Sequence, residues 1–182
     1  MTELGGMDRT LVLLRHAKAE PPGDGTDADR RLTAQGHADA AAAGAWLARH
    51  SLLPDVVLCS TARRTRQTWH GVASGMAGSP DQTGPATPAP PVRYEPPVRY
   101  EPGAYEAGPA GLLTLVRSAP PEATKVLLVA HNPGISLLSA FLDPQRANQE
   151  GLRTTGLVVH RTRLPWAELR HADLATRHTA RS

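Results

Sequence analysis

The amino-acid sequence predicts a three-layer α/β/α domain with a mostly parallel central sheet. Three short apolar segments, residues 10–14, 56–59 and 125–130, have the length of buried strands, and each stops at an abrupt change to polar residues. Helix-like segments separate them, and this alternation is typical of a parallel sheet that is covered on both faces. Because 182 residues suffice for one domain with a substantial core, we expect residues 1–182 to form a single domain.

The first predicted strand, residues 10–14, is followed by a loop at residues 17–31 that is rich in Gly, Pro and Asp. That loop is long enough to wrap over a site at the end of the strand. Thr33 has the side chain of an N-cap and precedes an Ala-rich helix that extends to about His50. The same patterns predict a strand at 56–59, helices at 61–76, 111–118 and 133–142, strands at 125–130 and 157–161, and an edge strand within 166–174.

Residues 78–104 are predicted to form a Pro/Gly-rich loop. Residues 78–109 hold nine of the 17 prolines, and proline cannot donate a main-chain hydrogen bond to a helix or sheet. The sequence Pro-Val-Arg-Tyr-Glu-Pro occurs there twice in succession, at 91–96 and 97–102. This indicates a local duplication, so we expect one copy to form a short strand and the other to be an insert, with either order open. Residues 175–182 are predicted to be a polar tail.

Composition and charge narrow the function classes. The formal net charge is +3 and the chain has one Phe, so a basic stacking platform for bases is poorly supported and we expect no nucleic-acid partner. No window reaches the roughly 18 apolar residues of a membrane span, and the N-terminus lacks a signal-peptide pattern. The single cysteine, Cys59, excludes an internal disulfide and is consistent with a reducing compartment. We therefore expect a cytoplasmic protein that does not associate with membranes.

Basic side chains follow three of the predicted strands. His16, with Arg15 beside it, follows the first strand, His131 follows residues 125–130, and Arg64 lies in the first turn of the helix after residues 56–59. In open α/β sheets, ligands bind beyond the carboxyl ends of the strands, so we expect these side chains to converge. Imidazoles and guanidiniums together suit a phosphoryl group, because they offer a nucleophile or proton carrier and bidentate anion clamps.

An Arg-His pair by itself does not indicate a functional site in this chain, because the dipeptide occurs four times. Only the pair at residues 15–16 follows a strand pattern. We expect the other three to be solvated charges, and they are Arg49-His50, Arg170-His171 and Arg177-His178.

Two other kinds of phosphate chemistry are disfavoured by spacing. A thiol phosphatase loop needs an arginine six positions after its cysteine, but the residue six positions after Cys59 is Thr65. Cys59 is therefore expected to be a buried thiol. No pair of histidines has the helical spacing of metal ligands with a carboxylate between them, so we expect a metal-independent protein without a cofactor.

A general acid is harder to recognise in this sequence. An alkoxide leaving group must be protonated, which requires a carboxyl group close to the phosphate. Glu20 and Asp24 in the first loop are candidates, as is Glu106. Glu106 is the leading candidate because it closes a proline-rich loop that must return to the domain.

Five segments of the chain together resemble the histidine phosphatase superfamily, and within it the SixA-type phosphohistidine phosphatases. The resemblance covers residues 10–159. Ala17 stands where the family has Gly in its Arg-His-Gly signature, and Arg31 stands where the branch has Pro. The matching segments are Leu14-Arg15-His16-Ala17, Arg30-Arg31-Leu32-Thr33-Ala34-Gln35-Gly36, Ser60-Thr61-Ala62-Arg63-Arg64-Thr65-Arg66-Gln67-Thr68, Tyr105-Glu106-Ala107 and Ala130-His131-Asn132-Pro133.

The resemblance implies a phosphoglycerate-mutase-like fold and assigns roles to the converging residues. By this likeness, His16 is the nucleophile and becomes phosphorylated, while Arg15, Arg64 and His131 hold the phosphoryl oxygens. Glu106 is the implied acid.

The implied substrate is a phosphohistidine, most simply one carried by a protein. By the same likeness, Ser60 and Asn132 are expected to contact that substrate. Two alternatives stay open: a phosphomonoesterase for small molecules such as sugar phosphates or nucleotides, and a non-catalytic phosphate-binding module.

Overall fold

The computed structural model describes residues 6–78 and 94–182 of the chain. In this part of the chain, strands and helices alternate over most of the length, as the sequence pattern predicts. In chain order they are β1 (Arg9–Arg15), α1 (Ala34–Arg49), β2 (Val56–Ser60), α2 (Arg63–Ala77), β3 (Val98–Glu101), α3 (Pro109–Arg117), β4 (Lys125–Ala130), α4 (Gly134–Leu142), β5 (Gly156–Thr162) and β6 (Asp173–Thr179).

The strands of the described residues form one sheet in the order β3-β2-β4-β1-β5-β6. The pairs β2–β3, β2–β4 and β1–β4 are parallel, whereas β5 runs antiparallel to both β1 and β6. The mostly parallel sheet of the prediction is confirmed. Because β1, β2 and β4 occupy the middle of the sheet and are covered on both faces, their sequences are continuously apolar rather than alternating.

Alternate residues of each central strand enter two separate cores. Leu11 and Leu13 of β1 pack on one face with α3, α4 and Trp166. Val12 and Leu14 pack on the other face with α1 and α2. This division follows from the strand period of two and makes the domain three layers thick.

Helix α1 begins where the sequence predicts. The Thr33 side chain caps it by accepting a hydrogen bond from the main-chain N–H of Gly36 at 2.9 Å. The helices α1 and α2 pack closely, since a Cβ atom added at Gly44 would lie 1.9 Å from the main-chain oxygen of Val72. Small residues in both helices are what allow this approach.

The edge strand lies further along the chain than predicted. Residues 166–168 form a 3-10 turn that buries Trp166, and the strand is β6 at Asp173–Thr179. Residues 175–179 of the predicted polar tail therefore belong to the sheet. Their sequence shows no apolar alternation because β6 pairs on one side only and is largely exposed.

The second copy of the tandem repeat contains the short strand. Its residues Val98–Glu101 form β3, which pairs with β2. The predicted loop at residues 78–104 thus includes a strand and the 3-10 turn Pro102–Ala104. The first three residues of the other copy, 91–93, lie outside the described residues.

Two of the three Arg-His pairs that were expected to be solvated also place a histidine ring against Trp46, while Arg49, His50 and Arg177 are exposed as predicted. Trp46 is stacked on His50 at a centroid distance of 4.0 Å and on His178 at 4.6 Å. The contact with His178 joins α1 to the edge strand β6. The third pair follows the prediction, because His171 is exposed.

Within residues 6–78 and 94–182, every helix is too short or too polar to cross a membrane.

Candidate active site

The carboxyl ends of β1 and β4 bring the two predicted histidines together. Arg15 and Ala130 are register partners at these strand ends, and the main-chain N–H of His16 donates to the oxygen of Ala130 at 3.1 Å. The ring centroids of His16 and His131 are 5.3 Å apart. Both residues are less than a tenth exposed, at 9% and 8%. The convergence predicted from strand order is therefore present.

The protonation of the His16 ring follows from one contact. Its Nδ1 lies 2.8 Å from the main-chain oxygen of Ala17, and a carbonyl oxygen only accepts, so Nδ1 carries the proton. The neutral ring then has its lone pair on Nε2. Thr68 fixes the next residue, since its Oγ1 accepts the main-chain N–H of Ala17 at 2.9 Å.

Burial lowers the pKa of His16, the Ala17 hydrogen bond raises it, and the positive charges of Arg64, Arg15 and Arg30 lower it; together these effects bring the pKa to about 4. The ring is therefore neutral at pH 7, which is the form that acts as a nucleophile.

His131 is held by a side chain from β2. Its Nε2 lies 2.8 Å from Oγ of Ser60, which is fully buried. Burial, and after it the neighbouring His16 and Arg64, lower the pKa of His131 to about 3. Ser60, expected to contact substrate, thus lies behind His131 and orients its ring.

Arg15 and Arg64 approach the two histidines from different elements, β1 and α2. Arg64, in the first turn of α2, is 6% exposed, and its Nη1 and Nη2 donate to the main-chain oxygen and Oδ2 of Asp27 at 2.7 and 3.0 Å. Arg15 is half-buried, and its Nη1 donates to the main-chain oxygen of Leu152 at 2.9 Å.

Three buried nitrogens around the histidines have no hydrogen-bond partner among the described residues. They are Nε of Arg15, Nε of Arg64 and Nδ1 of His131. An unsatisfied buried donor costs about 1–3 kcal/mol, and more for a charged group. Groups of this kind suit an anion with several acceptor oxygens, which is what the residue types predicted.

Two other predicted site residues are placed differently. The amide of Asn132 is engaged within its own neighbourhood, donating to the oxygen of Leu152 at 2.8 Å and accepting from Ser136. Glu106 is exposed, and its carboxylate forms no hydrogen bond or ion pair within residues 6–78 and 94–182.

Tyr105, the residue before Glu106, reaches the site, whereas Glu106 does not. Tyr105 donates its hydroxyl to Asp27 and sets its ring edge-on to His131 at a centroid distance of 5.6 Å. Successive side chains point in different directions at this turn, so the returning loop delivers Tyr105 and turns Glu106 to solvent.

Asp27 is the carboxylate that contacts Arg64 in the site, and the sequence analysis did not identify it. It lies in the 3-10 turn Asp27–Asp29 of the first loop, and its partner Arg64 is 37 residues away. The available signal was the length of that loop, which indicated that it could wrap over the site. Nothing in the local pattern distinguished Asp27 from Asp24 or Asp29.

Among the described residues, no group of three or more His, Cys, Asp and Glu side chains is arranged to hold a metal ion.

The chain is similar to one family model and to several known proteins. The model of the histidine phosphatase superfamily (branch 1) matches residues 11–83. An uncharacterized protein of Mycobacterium leprae is 30% identical over 181 residues, which are 92% of this chain and 100% of that protein. The chain belongs to the histidine phosphatase superfamily.

Two solved structures place this superfamily member in the SixA-type branch. A chain from Nakamurella multipartitia, described as a candidate phosphohistidine phosphatase SixA, is 31% identical with a TM-score of 0.77, over 95% of this chain and 96% of that one. A similarly described chain from Agrobacterium tumefaciens is 27% identical with a TM-score of 0.74, over 93% and 97%. The protein is a histidine phosphatase with the phosphoglycerate-mutase-like fold.

Proposed function

We propose that this phosphatase hydrolyses phosphohistidine, carried by another protein, through a phosphoryl group bound transiently to Nε2 of His16. The observation that carries the proposal is a set of buried nitrogens without a partner among the described residues, the Nε–H groups of Arg15 and Arg64 and Nδ1 of His131, beside a neutral imidazole. Such donors satisfy the three equatorial oxygens of a phosphoryl group and stabilise the charge that spreads over them during transfer.

The reaction has two in-line steps. In the first, the Nε2 lone pair of His16 forms a bond to phosphorus while the bond to the leaving imidazole breaks, and the leaving nitrogen keeps that electron pair and takes a proton from water. In the second, water attacks phosphorus, the electron pair of the phosphorus–nitrogen bond returns to Nε2, and the attacking water loses a proton that neutralises the hydroxide left by the first step, releasing phosphate. The oxygen of Ala17 holds the Nδ1 proton throughout, which stabilises the positive ring of the intermediate.

The substrate class follows from how the leaving group departs. An alkoxide needs a proton donor in contact with it, whereas an imidazole departs more easily. Glu106 is exposed, and hydrogen bonds from Tyr105 and Arg30 hold the pKa of Asp27 well below its usual range, so Asp27 is ionised and cannot donate a proton. These features, and the likeness to chains described as SixA phosphohistidine phosphatases, support an imidazole leaving group.

A second candidate is a phosphomonoesterase for small molecules. The observation that favours it is the burial of His16, which is 9% exposed and thus easier to reach for a small phosphate ester than for a protein side chain. A module that only binds phosphate is disfavoured by the free Nε2 of His16, because binding alone does not require a nucleophile.

Trapping the intermediate tests the proposal. Wild-type protein mixed with a labelled phosphohistidine protein and quenched in base should carry label on a peptide containing His16. His16→Asn should lose the label and all turnover, whereas His171→Asn, which changes an exposed histidine, should keep both. We infer that the arginines supply the positive charge for the reaction, so turnover should persist in a chelator.

The same assay separates the substrate classes. Glu106→Gln should change turnover of phosphohistidine by less than about twofold, because no carboxyl acid is needed. The small-molecule alternative replaces the proposal if sugar phosphates or nucleotides react far faster than phosphohistidine and Glu106→Gln abolishes that reaction. Label on Cys59 or Ser60 would contradict His16 as the nucleophile.

A further inference from the structure

Asp27 holds the terminal edge of the Arg64 guanidinium. Its main-chain oxygen accepts from Nη1 at 2.7 Å and its Oδ2 accepts from Nη2 at 3.0 Å, so one residue engages both terminal nitrogens. The side edge of the same guanidinium carries Nε, which is buried and has no partner in the part of the chain that the structure describes. Because the group is a rigid planar fork, fixing the terminal edge also fixes the direction of the side edge.

The Asp27 carboxylate is itself fixed from two further directions. Tyr105 donates its hydroxyl to Oδ2, and Nη1 of Arg30 donates to Oδ1 at 3.1 Å. Donors from three separate segments of the chain thus set the orientation of a side chain that is 51% exposed. They also keep the pKa of this carboxyl well below its usual range, with the Tyr105 hydrogen bond as the largest cause.

The main chain at Asp27 has a defined position relative to α2. An antiparallel bridge between Ala19 and Leu32 closes the base of the loop. The main-chain N–H of Leu32 donates to Oε1 of Gln67 at 2.8 Å, and Gln67 lies one turn after Arg64 on the same helix. The loop is therefore attached to α2 at two points, and Asp27 is the second.

We propose that Asp27 is a positioning residue that aims the Nε edge of Arg64 at the phosphoryl group over His16, and that Tyr105 acts through Asp27. The inference rests on the proposed function, in which Arg64 binds phosphoryl oxygens. A donor held in place before the reaction contributes most in the transition state, where charge shifts onto the equatorial oxygens. Loss of Asp27 should therefore lower turnover more than it weakens binding of the substrate.

Asp27→Asn tests this role with Asp29→Asn as the matched control. Asp29 belongs to the same turn and carries the same charge, but its carboxylate accepts from Thr26 and does not contact Arg64. We expect Asp27→Asn to lower kcat by about 10- to 100-fold with a change in KM below about threefold, as for a displaced catalytic group. Inhibition by orthovanadate, which resembles the transition state, should weaken in parallel with kcat, whereas inhibition by inorganic phosphate should change less.

Two further variants separate positioning from direct action. Tyr105→Phe should lower kcat in the same direction by a smaller factor. The Arg64→Lys variant has no guanidinium fork to orient. Introducing Asp27→Asn into that variant should weaken vanadate inhibition by less than a further factor of about two.

Three outcomes would overturn the positioning role. The first is an equal kcat for Asp27→Asn and Asp29→Asn. The second is a loss of activity in Asp27→Asn that appears in KM rather than in kcat. The third is a double variant in which the effects of Asp27→Asn and Arg64→Lys on vanadate inhibition multiply. These results are distinguishable from failure of the proposed function, because in that case the wild-type protein itself would carry no label on His16.

Discussion

At the scale of single residues, burial sets the chemistry of the two site histidines. His16 and His131 are surrounded by arginines and removed from water, so both stay neutral at pH values where an exposed histidine is half protonated. The Ala17 oxygen then selects which nitrogen of His16 is free. The nucleophilic form thus results from the position of the ring at the end of β1 and needs no separate base.

Neutral burial of His16 has a consequence for stability. Its pKa is about 4 in the folded protein and near 6.5 in the unfolded chain, so between these values only the unfolded state binds the proton. The free energy of unfolding should therefore fall as the pH is lowered from 6.5 to 4, by up to roughly 1.4 kcal/mol per pH unit from this residue. Urea unfolding curves at several pH values measure it.

The comparison of variants isolates the contribution of His16. His16→Asn should reduce the slope of unfolding free energy against pH in this window relative to the wild-type protein. Equal slopes for His16→Asn and wild type would show that His16 titrates alike in the folded and unfolded states.

At the scale of elements, the pairing of α1 with α2 fixes the position of Arg64. Helix α2 carries Arg64 in its first turn and rests on α1 through glycines, of which Gly44 faces the main chain of Val72 and Gly75 faces that of Ala41. Since the helices touch through their backbones, side chains larger than hydrogen at these positions would push them apart.

Gly44→Ala should accordingly destabilise the protein. The added Cβ would lie 1.9 Å from the oxygen of Val72, a main-chain atom that cannot move without shifting α2. We expect a loss of about 2–3 kcal/mol of unfolding free energy, the usual cost of overpacking, together with reduced turnover because Arg64 moves with its helix. Chemical denaturation and an activity assay measure the two effects.

The matched control for this change is Gly111→Ala in α3. Its added Cβ would meet only the Cβ of Ala107, at 3.2 Å, so the gain in helix propensity of up to about 1 kcal/mol should offset the small crowding. Comparable losses for the two variants would mean that the close approach of α1 and α2 is not the cause.

At the scale of the whole molecule, one sheet supports both cores, and the site lies at the carboxyl ends of its central strands. The face covered by α1 and α2 contains Trp46 and Trp69, and the opposite face contains Trp166. Because the central strands contribute alternate residues to both, neither core can lose its packing while the other keeps it. We propose on this ground that the chain is a single domain.

Urea unfolding tests the single domain with tryptophans as reporters of each face. Trp166→Phe leaves fluorescence from the α1–α2 face, and the double variant Trp46→Phe with Trp69→Phe leaves fluorescence from the other. Within each protein, fluorescence and far-ultraviolet circular dichroism should give the same midpoint, as expected for cooperative two-state unfolding. Midpoints that differ between the probes would indicate two independently unfolding units.

Much of the architecture could be predicted because its causes are local in the sequence. Residues 125–130 form β4 as predicted, since a strand buried on both faces must be apolar throughout. Thr33 caps α1 because capping depends on a few neighbouring residues. Strand β6 was misplaced for the opposite reason: an exposed edge strand has no core to select apolar residues, and its pairing with β5 leaves no local signal.

By itself, the sequence determined the ends of the central strands and the placement of His16, His131, Arg15 and Arg64 at or just after them, and hence indicated phosphate chemistry, because each of these signals depends on composition within a few residues. Only the tertiary structure decided which carboxylate reaches the site. It brings Asp27 against Arg64, 37 residues away, and turns Glu106 to solvent. Contacts of that kind depend on how loops fold back over the sheet, and no periodic pattern along the chain predicts that folding.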